Sequence, residues 1–259
     1  MRRGGDVLEW YEEFYTKDFI DAVGFASEEQ TQFETDFIRS LLKPAPGSSI
    51  LDLCCGYGRH AHLLGKTTDS EVTGLDLSDD YLEIAGKNNS SPNVTFVKGD
   101  MRNLPFTNRF DAVYNMFTSF GFFDSDEENE HVIKQVNKSL KQQGLFLLDY
   151  ENKFYFVFND VFKKETGWEK IDDNNYILYE NTYDVMRERE IFSVRFIEKG
   201  KVKMGSGYSI RLYNFPEISA MLERNGFKIL EVWGDYQRNA YSVKSKRLII
   251  LSRKIDAIF

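Results

Sequence analysis

The chain has 259 residues, of which 42% are hydrophobic and 29% are charged, a composition typical of a globular protein with a substantial core. Its 33 Lys and Arg against 41 Asp and Glu give a formal charge of −8, which repels a phosphate backbone and argues against nucleic acid as a partner. No run approaches the roughly 20 apolar residues that span a bilayer, and the start lacks the apolar core of a signal peptide, so we expect no membrane contact and a cytoplasmic location.

Helices and strands are predicted to alternate along the first 150 residues. An amphipathic helix over 27–43 begins at a Ser-x-x-Gln capping signal and ends before Pro44. Strands follow at 49–55, 71–76, 94–98, 110–115 and the apolar stretch LFLLDY, and helices are predicted from about 58, over 79–88 and after Ser125. This alternation predicts a doubly wound, mostly parallel, Rossmann-like α/β sheet.

The pattern changes after residue 150. Three strand-like segments rich in Tyr, Phe, Val and Ile follow one another without a helix, which predicts an inserted antiparallel β meander within 151–213. A helix capped by Asn214 and stopped by Gly226 then precedes the strands FKILEVWG and RLIILSRK, which bring the main sheet to seven strands. We therefore expect one domain over 1–259, with an N-terminal helical segment at 1–45 and a core formed by 46–150 and 214–259.

A glycine-rich turn follows the first strand. Gly56 and Gly58 stand in the sequence GYGRHA, which fits the G-x-G-x-x-G/A fingerprint of a nucleotide bound at a helix N-terminus. Asp76 ends the second strand, where a carboxylate accepts hydrogen bonds from ribose hydroxyls. Both features suit any cofactor that contains adenosine, so NAD and other adenosine cofactors all remain possible at this point.

Three further features favour a cofactor other than a dinucleotide. Asp52 lies inside the first strand, where a carboxylate suits a ligand amine or an ordered water. Asp100 and Met101 follow the third strand, and such a pair can accept from an adenine amine and flank its ring. The end of the fourth strand is loaded with aromatic residues in FDAVYNMFTSFGFF. Acids thus stand at three consecutive strands beside an aromatic cleft.

With these motifs the chain resembles the class I S-adenosylmethionine-dependent methyltransferases over roughly residues 30–150 and 214–254. The resemblance implies that LDLCCGYGR wraps the methionine portion of the cofactor, that Asp76 binds the ribose, and that Asp100 and Met101 bind adenine. It also implies that Asn115 and Met116 border the reaction cleft. The expected cofactor-binding residues are Tyr11, Asp52, Gly56, Gly58, Arg59, Asp76, Leu77, Asp100, Met101, Asn115 and Met116.

Some of these positions also have a purely structural interpretation. Arg59 either pairs with the cofactor carboxylate or is solvated in the first helical turn. Tyr11 and Tyr15 belong either to a core stripe or to an N-terminal segment that, by the resemblance, lies over the cofactor, where a Tyr face attracts the sulfonium. His60 and His62 are interpreted as surface or satisfied residues.

The two cysteines are adjacent. A bridge between Cys54 and Cys55 would be strained, so we interpret both as reduced, small and buried. The three histidines form no Cys/His spacing pattern with them, and no metal site is predicted.

The acceptor is predicted to be a small molecule methylated at nitrogen or oxygen. The pattern is most similar to sugar N,N-dimethyltransferase and glycine N-methyltransferase relatives, and Asn-Met-Phe-Thr at 115–118 replaces the Asp/Asn-Pro-Pro-Tyr motif of enzymes that methylate nucleic-acid bases. The insertion would roof the acceptor pocket. No general base is assigned, but the candidates that flank the insertion are Tyr150, Glu151, Tyr208 and Tyr213.

Two other functions stay open as alternatives. One is an NAD(P)-dependent oxidoreductase, which would use the same glycine turn. The other is a non-catalytic cofactor-binding or partner-binding protein, whose insertion pairs edge to edge with another subunit, for instance in a homodimer.

Overall fold

Two packed sheets and eight helices organise the part of the chain that the structure describes. The structure is a computed structural model that describes residues 9–161 and 165–255. Residues 1–8 of the predicted N-terminal segment and residues 256–259 of the predicted core therefore lie outside the described residues. The helices are α1 Trp10–Phe14, α2 Lys17–Val23, α3 Glu28–Leu42, α4 Arg59–Thr67, α5 Asp79–Asn88, α6 Asp126–Ser139, α7 Lys153–Tyr155 and α8 Phe215–Arg224.

The strands divide between a seven-stranded and a four-stranded sheet. In chain order they are β1 Ser49–Leu53, β2 Glu71–Asp76, β3 Val94–Lys98, β4 Phe110–Asn115, β5 Leu140–Glu151, β6 Glu165–Lys170, β7 Asn175–Asp184, β8 Arg189–Glu198, β9 Lys201–Arg211, β10 Phe227–Trp233 and β11 Arg247–Lys254. The large sheet has the order β10-β11-β5-β4-β1-β2-β3, with β1 to β5 parallel and β11 antiparallel to both of its neighbours. The predicted fold class is confirmed.

Short-range capping chemistry sets the helix starts. The Ser78 hydroxyl accepts a hydrogen bond from the Tyr81 N–H at 3.2 Å and begins α5, and the Ser125 hydroxyl accepts from the Glu128 N–H at 3.1 Å and begins α6. Asn214 begins α8 through a capping box. The predicted starts of these three helices are therefore confirmed.

Alternate residues of the large sheet face two core layers. Leu51 and Leu53 of β1 belong to the layer that includes α6 and α8, whereas Ile50 belongs to the layer that includes α3 and α4. All three are at most 1% exposed, and burial of one such side chain contributes about 1.5–3 kcal/mol. A parallel sheet covered on both faces in this way leaves its strand ends as the place for a ligand.

The insertion contains more structure than the sequence predicts. β6 to β9 form an antiparallel meander of four strands, not three. β6 has no apolar alternation, since Gly167 interrupts it and Trp168 is exposed, and its pairing with β7 defines it as a strand. The helix α7 and the π-helical turn Phe156–Val161 that follows it were also not predicted. Within residues 9–161 and 165–255, no helix has the length and apolar character needed to span a membrane.

Candidate functional site

A cavity of about 150 Å³ lies at the carboxyl ends of β1, β2 and β3. The parallel strands bring residues that are distant in the chain to one edge of the sheet. Six of the predicted cofactor-binding residues line this cavity, namely Tyr11, Gly56, Asp76, Leu77, Asp100 and Met101.

The turn after β1 contains three residues with positive φ: Cys54 at 61°, Gly56 at 56° and Gly58 at 77°. A Cβ on Gly58 would lie 2.5 Å from the Phe96 ring, so this glycine is required for packing against β3. A Cβ on Gly56 would meet only the Tyr81 ring, at 3.6 Å. Gly56 therefore forms the cavity wall, and Gly58 sits behind it.

The two cysteines differ in environment. β1 ends at Leu53, so Cys54 belongs to the turn, is partly exposed in the cavity wall, and has its Sγ 3.7 Å from Met101 Sδ. Cys55 is buried. Both thiols are free, but the expectation that both are buried is correct only for Cys55, because the left-handed turn points Cys54 toward the cavity edge.

Asp76 ties the glycine turn to the second strand and to α5. Its Oδ2 accepts a hydrogen bond from the Gly56 N–H at 2.8 Å, and its Oδ1 accepts from the Ser78 N–H at 3.0 Å. Burial raises the pKa of the Asp76 carboxyl, although these backbone hydrogen bonds oppose the rise. Each carboxylate oxygen retains a further lone pair for a ligand hydroxyl.

Asp100 is held by an arginine that the sequence did not single out. Arg102 donates to Asp100 through its backbone N–H and its Nη2, both at 2.7 Å. The same Nη2 donates to the Tyr11 hydroxyl at 3.2 Å, and the guanidinium lies 4.3 Å above the Phe123 ring. Arg102 therefore links the loop after β3 to α1 and to the loop after β4. Its only sequence signal is its place two residues after Asp100.

Aromatic side chains cover the cavity. The Tyr15 and Phe122 rings stack at 6.1 Å with an interplanar angle of 12°, and the Tyr11 and Phe122 rings lie 6.4 Å apart at 23°. Burial raises the pKa of both tyrosines, so both stay neutral phenols. Of the two interpretations of this segment, the structure places Tyr11 and Tyr15 in the cavity wall.

Asp52 does not line the cavity, and its role in cofactor binding stays a prediction. It is 2% exposed and stands directly across from Tyr114 in the pairing of β1 with β4. Burial raises the pKa of the Asp52 carboxyl to about 7. A hydrogen bond from the backbone N–H of Ala61 in α4 opposes this rise and links the carboxyl to α4.

Arg59 belongs to a buried ion-pair cluster rather than to the cavity wall. Its guanidinium pairs with Glu34 of α3, and His60 Nε2 lies 3.0 Å from the same carboxylate. An acid on the preceding helix thus pairs with the guanidinium, and contact between Arg59 and the cofactor carboxylate stays a prediction. His60 and His62 are satisfied as interpreted, the latter with its Nδ1 3.0 Å from the Asn89 carbonyl oxygen.

Asn115 and Met116 also lie outside the cavity wall. Asn115 Nδ2 donates to the Leu53 carbonyl at 2.9 Å and joins the ends of β1 and β4, and Met116 is buried in the layer with α3 and α4. The next two residues, Phe117 and Thr118, have φ values of 58° and 63° and turn the chain. Later residues of this loop line the cavity instead, namely Ser119, Phe122 and Phe123.

Two of the candidate proton-taking residues are engaged in structural hydrogen bonds. Tyr150 donates to the carbonyl oxygen of Arg211, and Tyr213 donates to Asp126 Oδ1 at 2.6 Å. Neither lines the cavity, and burial raises the pKa of both phenols. The other two candidates, Glu151 and Tyr208, lie in a cluster around Glu190 of the meander.

Comparison with known proteins adds an independent finding. A family model described as a methyltransferase domain matches residues 50–144, and an uncharacterized methyltransferase of Synechocystis is 32% identical over 155 residues, which are 56% of this chain and 70% of that protein. The structure of a methyltransferase from Streptomyces caelestis matches with a TM-score of 0.79 at 19% identity, covering 96% of this chain and 99% of that one. An amino pentose methyltransferase from Micromonospora echinaspora, solved with S-adenosylmethionine bound, matches with a TM-score of 0.66 at 18% identity, covering 98% and 100%.

Proposed function

The chain belongs to the class I S-adenosylmethionine-dependent methyltransferases, and from this premise we propose that it methylates an amino nitrogen of a small molecule. One observation carries the choice of nitrogen. Among the described residues that line the cavity, none has a basic side chain; Asp76 contributes a carboxylate, and the charge of Asp100 is offset by its pair with Arg102. A wall of this charge attracts a protonated amine and repels an anionic acceptor. The amino pentose methyltransferase named above supports the same class of acceptor.

The side chains around the cavity fit S-adenosylmethionine. The free lone pairs of Asp76 would accept the ribose hydroxyls, and Gly56 would let the backbone approach the methionine portion. Asp100 and Met101, which adjoin in the wall, would contact the adenine. Tyr11 and Tyr15 would complete the enclosure from the side of α1.

The methyl group is supplied by the sulfonium of S-adenosylmethionine, and the protein must hold a nucleophile in line with it and exclude water. The stacked Tyr15 and Phe122 rings would exclude water from the cavity. Tyr15 stays a neutral phenol, and its ring offers an electron-rich face to the sulfonium cation.

A small acceptor is supported by the cover over the cavity. α1 and the loop after β4 enclose it with aromatic side chains, and α1 packs in turn on the meander through Phe14 and Tyr208, whose rings are 5.4 Å apart. Membership of the methyltransferase family sets aside the oxidoreductase and the non-catalytic alternatives. The cytoplasmic location and a homodimer through the insertion stay predictions.

The proposal is tested by measuring release of S-adenosylhomocysteine with pairs of acceptors that differ only in an amine against a hydroxyl, including aminosugars and amino acids. We expect turnover with one or more amines and none with the matched hydroxyl compounds. Turnover confined to hydroxyl compounds would overturn the assignment to nitrogen.

A further inference from the structure

A buried polar cluster lies on the meander face that packs against α1. Glu190 on β8 is 2% exposed, and its Oε1 accepts a hydrogen bond from the Tyr208 hydroxyl on β9 at 2.8 Å. Tyr183 on β7 is the direct cross-strand partner of Glu190. Asn181 lies two residues before Tyr183 and so shares the same face of the sheet.

Three buried polar atoms of this cluster have no hydrogen-bond partner within residues 9–161 and 165–255: Glu190 Oε2, Asn181 Oδ1 and Tyr183 Oη. Such atoms are rare in folded proteins, because each costs about 1–3 kcal/mol when left unpaired. All three atoms can accept hydrogen bonds. Asn181 Oδ1 can act only as an acceptor, and so can Glu190 Oε2 when the carboxyl is ionised. An ammonium group, which offers several N–H donors and a positive charge, is a ligand that satisfies such a set.

An aromatic layer links this cluster to the cofactor cavity. Tyr15 lines the cavity, and the charge of Glu190 adds to burial in raising the pKa of Tyr15. The Trp10 ring lies 6.4 Å from the Tyr15 ring and 6.1 Å from the Tyr208 ring. Glu190 therefore lies beside the aromatic layer that includes Tyr15 of the cavity wall.

A second acid makes Glu190 suited to accept a proton. Burial, together with the charge of the neighbouring Glu151 at the end of β5 and a hydrogen bond shared with it, raises the pKa of Glu190, and hydrogen bonds from Tyr208 and Asn181 oppose the rise. The titratable groups that face Glu190 are thus Glu151 from β5, Tyr208 from β9 and Tyr15 from the segment after α1. A carboxylate whose pKa is raised toward neutrality is an effective general base.

Resting on the proposed amine methylation, we propose that Glu190 binds the ammonium group of the acceptor and takes one proton from it before methyl transfer. The Glu190 carboxylate becomes a carboxylic acid, and the amine nitrogen regains its lone pair. That lone pair forms the new N–C bond while the S–C bond breaks and leaves its electron pair on sulfur. The methylated product leaves as an ammonium, and Glu190 returns its proton to water.

The test compares Glu190→Gln with Glu198→Gln, a matched control at the exposed end of the same strand. For each variant we measure the affinity for S-adenosylmethionine by calorimetry, the thermal midpoint, and kcat/KM against pH with an amine that the wild type methylates. For Glu190→Gln we expect a loss of kcat/KM of roughly 10²–10⁴-fold, unchanged cofactor affinity, and an acidic limb that now follows the pKa of the free amine. Glu198→Gln should match the wild type.

A second variant covers the case in which Glu190→Gln does not fold. Tyr208→Phe removes the hydrogen bond that lowers the pKa of Glu190, so the acidic limb should move to higher pH. Wild-type kcat/KM and pH profile in Glu190→Gln, or an unmoved profile in Tyr208→Phe, would overturn the role of Glu190 while leaving amine methylation in place. A wild type that methylates only hydroxyl compounds would instead refute the proposed function, and the role of Glu190 would fall with it.

Discussion

Replacing Asp76 with asparagine tests whether this carboxylate holds the cofactor. The two carboxylate oxygens accept one backbone N–H each, from Gly56 at 2.8 Å and from Ser78 at 3.0 Å. An asparagine amide keeps one acceptor oxygen and presents an NH₂ group in place of the other. The ribose hydroxyls of S-adenosylmethionine would lose a charged acceptor.

The size of the loss can be worked out from the type of hydrogen bond removed. A hydrogen bond to a charged group contributes about 1.5–3 kcal/mol, so the dissociation constant for S-adenosylmethionine should rise roughly 10- to 150-fold. The free energy of unfolding should change much less, because two effects oppose each other. Asparagine loses one hydrogen bond, but it also removes the cost of the buried charge that raises the pKa of the Asp76 carboxyl. In the wild type, the affinity for S-adenosylmethionine should fall as the pH drops through this raised pKa, since only the ionised carboxylate accepts hydrogen bonds at both oxygens.

The assay is calorimetric titration with S-adenosylmethionine, together with the thermal midpoint of each variant. Asp79→Asn is the matched control, because Asp79 is an exposed acid in the first turn of α5 that pairs with Lys98 at 2.5 Å. We expect Asp76→Asn to fold with a midpoint close to that of the wild type and to bind the cofactor weakly, and Asp79→Asn to bind it normally. Wild-type affinity in Asp76→Asn would refute the reasoning.

The remaining predictions concern the loops around the cavity and are read from urea unfolding curves. Arg102→Met removes the partly exposed ion pair with Asp100, the hydrogen bond to Tyr11 and the contact with the Phe123 ring. Each of these contributes about 0.5–1 kcal/mol, so the free energy of unfolding should fall by about 2 kcal/mol, and an unchanged free energy of unfolding would contradict the linking role of Arg102. Gly58→Ala should lower the free energy of unfolding by about 1–3 kcal/mol, because φ is 77° and the new Cβ would lie 2.5 Å from the Phe96 ring. Gly86→Ala is the control, because its new Cβ meets no atom within 4 Å and should stabilise α5 by up to about 1 kcal/mol. Equal effects of the two variants would contradict the claim that Gly58 is required for packing against Phe96.

Elements whose limits depend on local chemistry could be predicted from the sequence. The helix at 79–88 was predicted because Ser78 caps it, and the last strand, β11, was predicted because its apolar run is long enough to be buried in the sheet. β6 could not be predicted, since Gly167 and the polar residues around it become a strand only when β7 supplies its hydrogen bonds.

The site residues divide in the same way. Gly56 and Asp76 could be predicted because each stands next to a strand end, and parallel strands bring those ends together. Arg59 could not be placed, because its partner Glu34 lies 25 residues earlier on another helix. Glu190 gave no signal either, since its burial depends on how the meander packs against β5 and α1.

The most direct test of the central claim is a crystal structure of the protein with S-adenosylhomocysteine bound. We predict that its ribose hydroxyls contact Asp76, that its adenine lies beside Asp100 and Met101, and that its sulfur points toward Tyr15 and the side of the cavity nearest Glu190. Binding outside the cavity at the ends of β1, β2 and β3, or with the sulfur pointing away from Tyr15, would contradict the account.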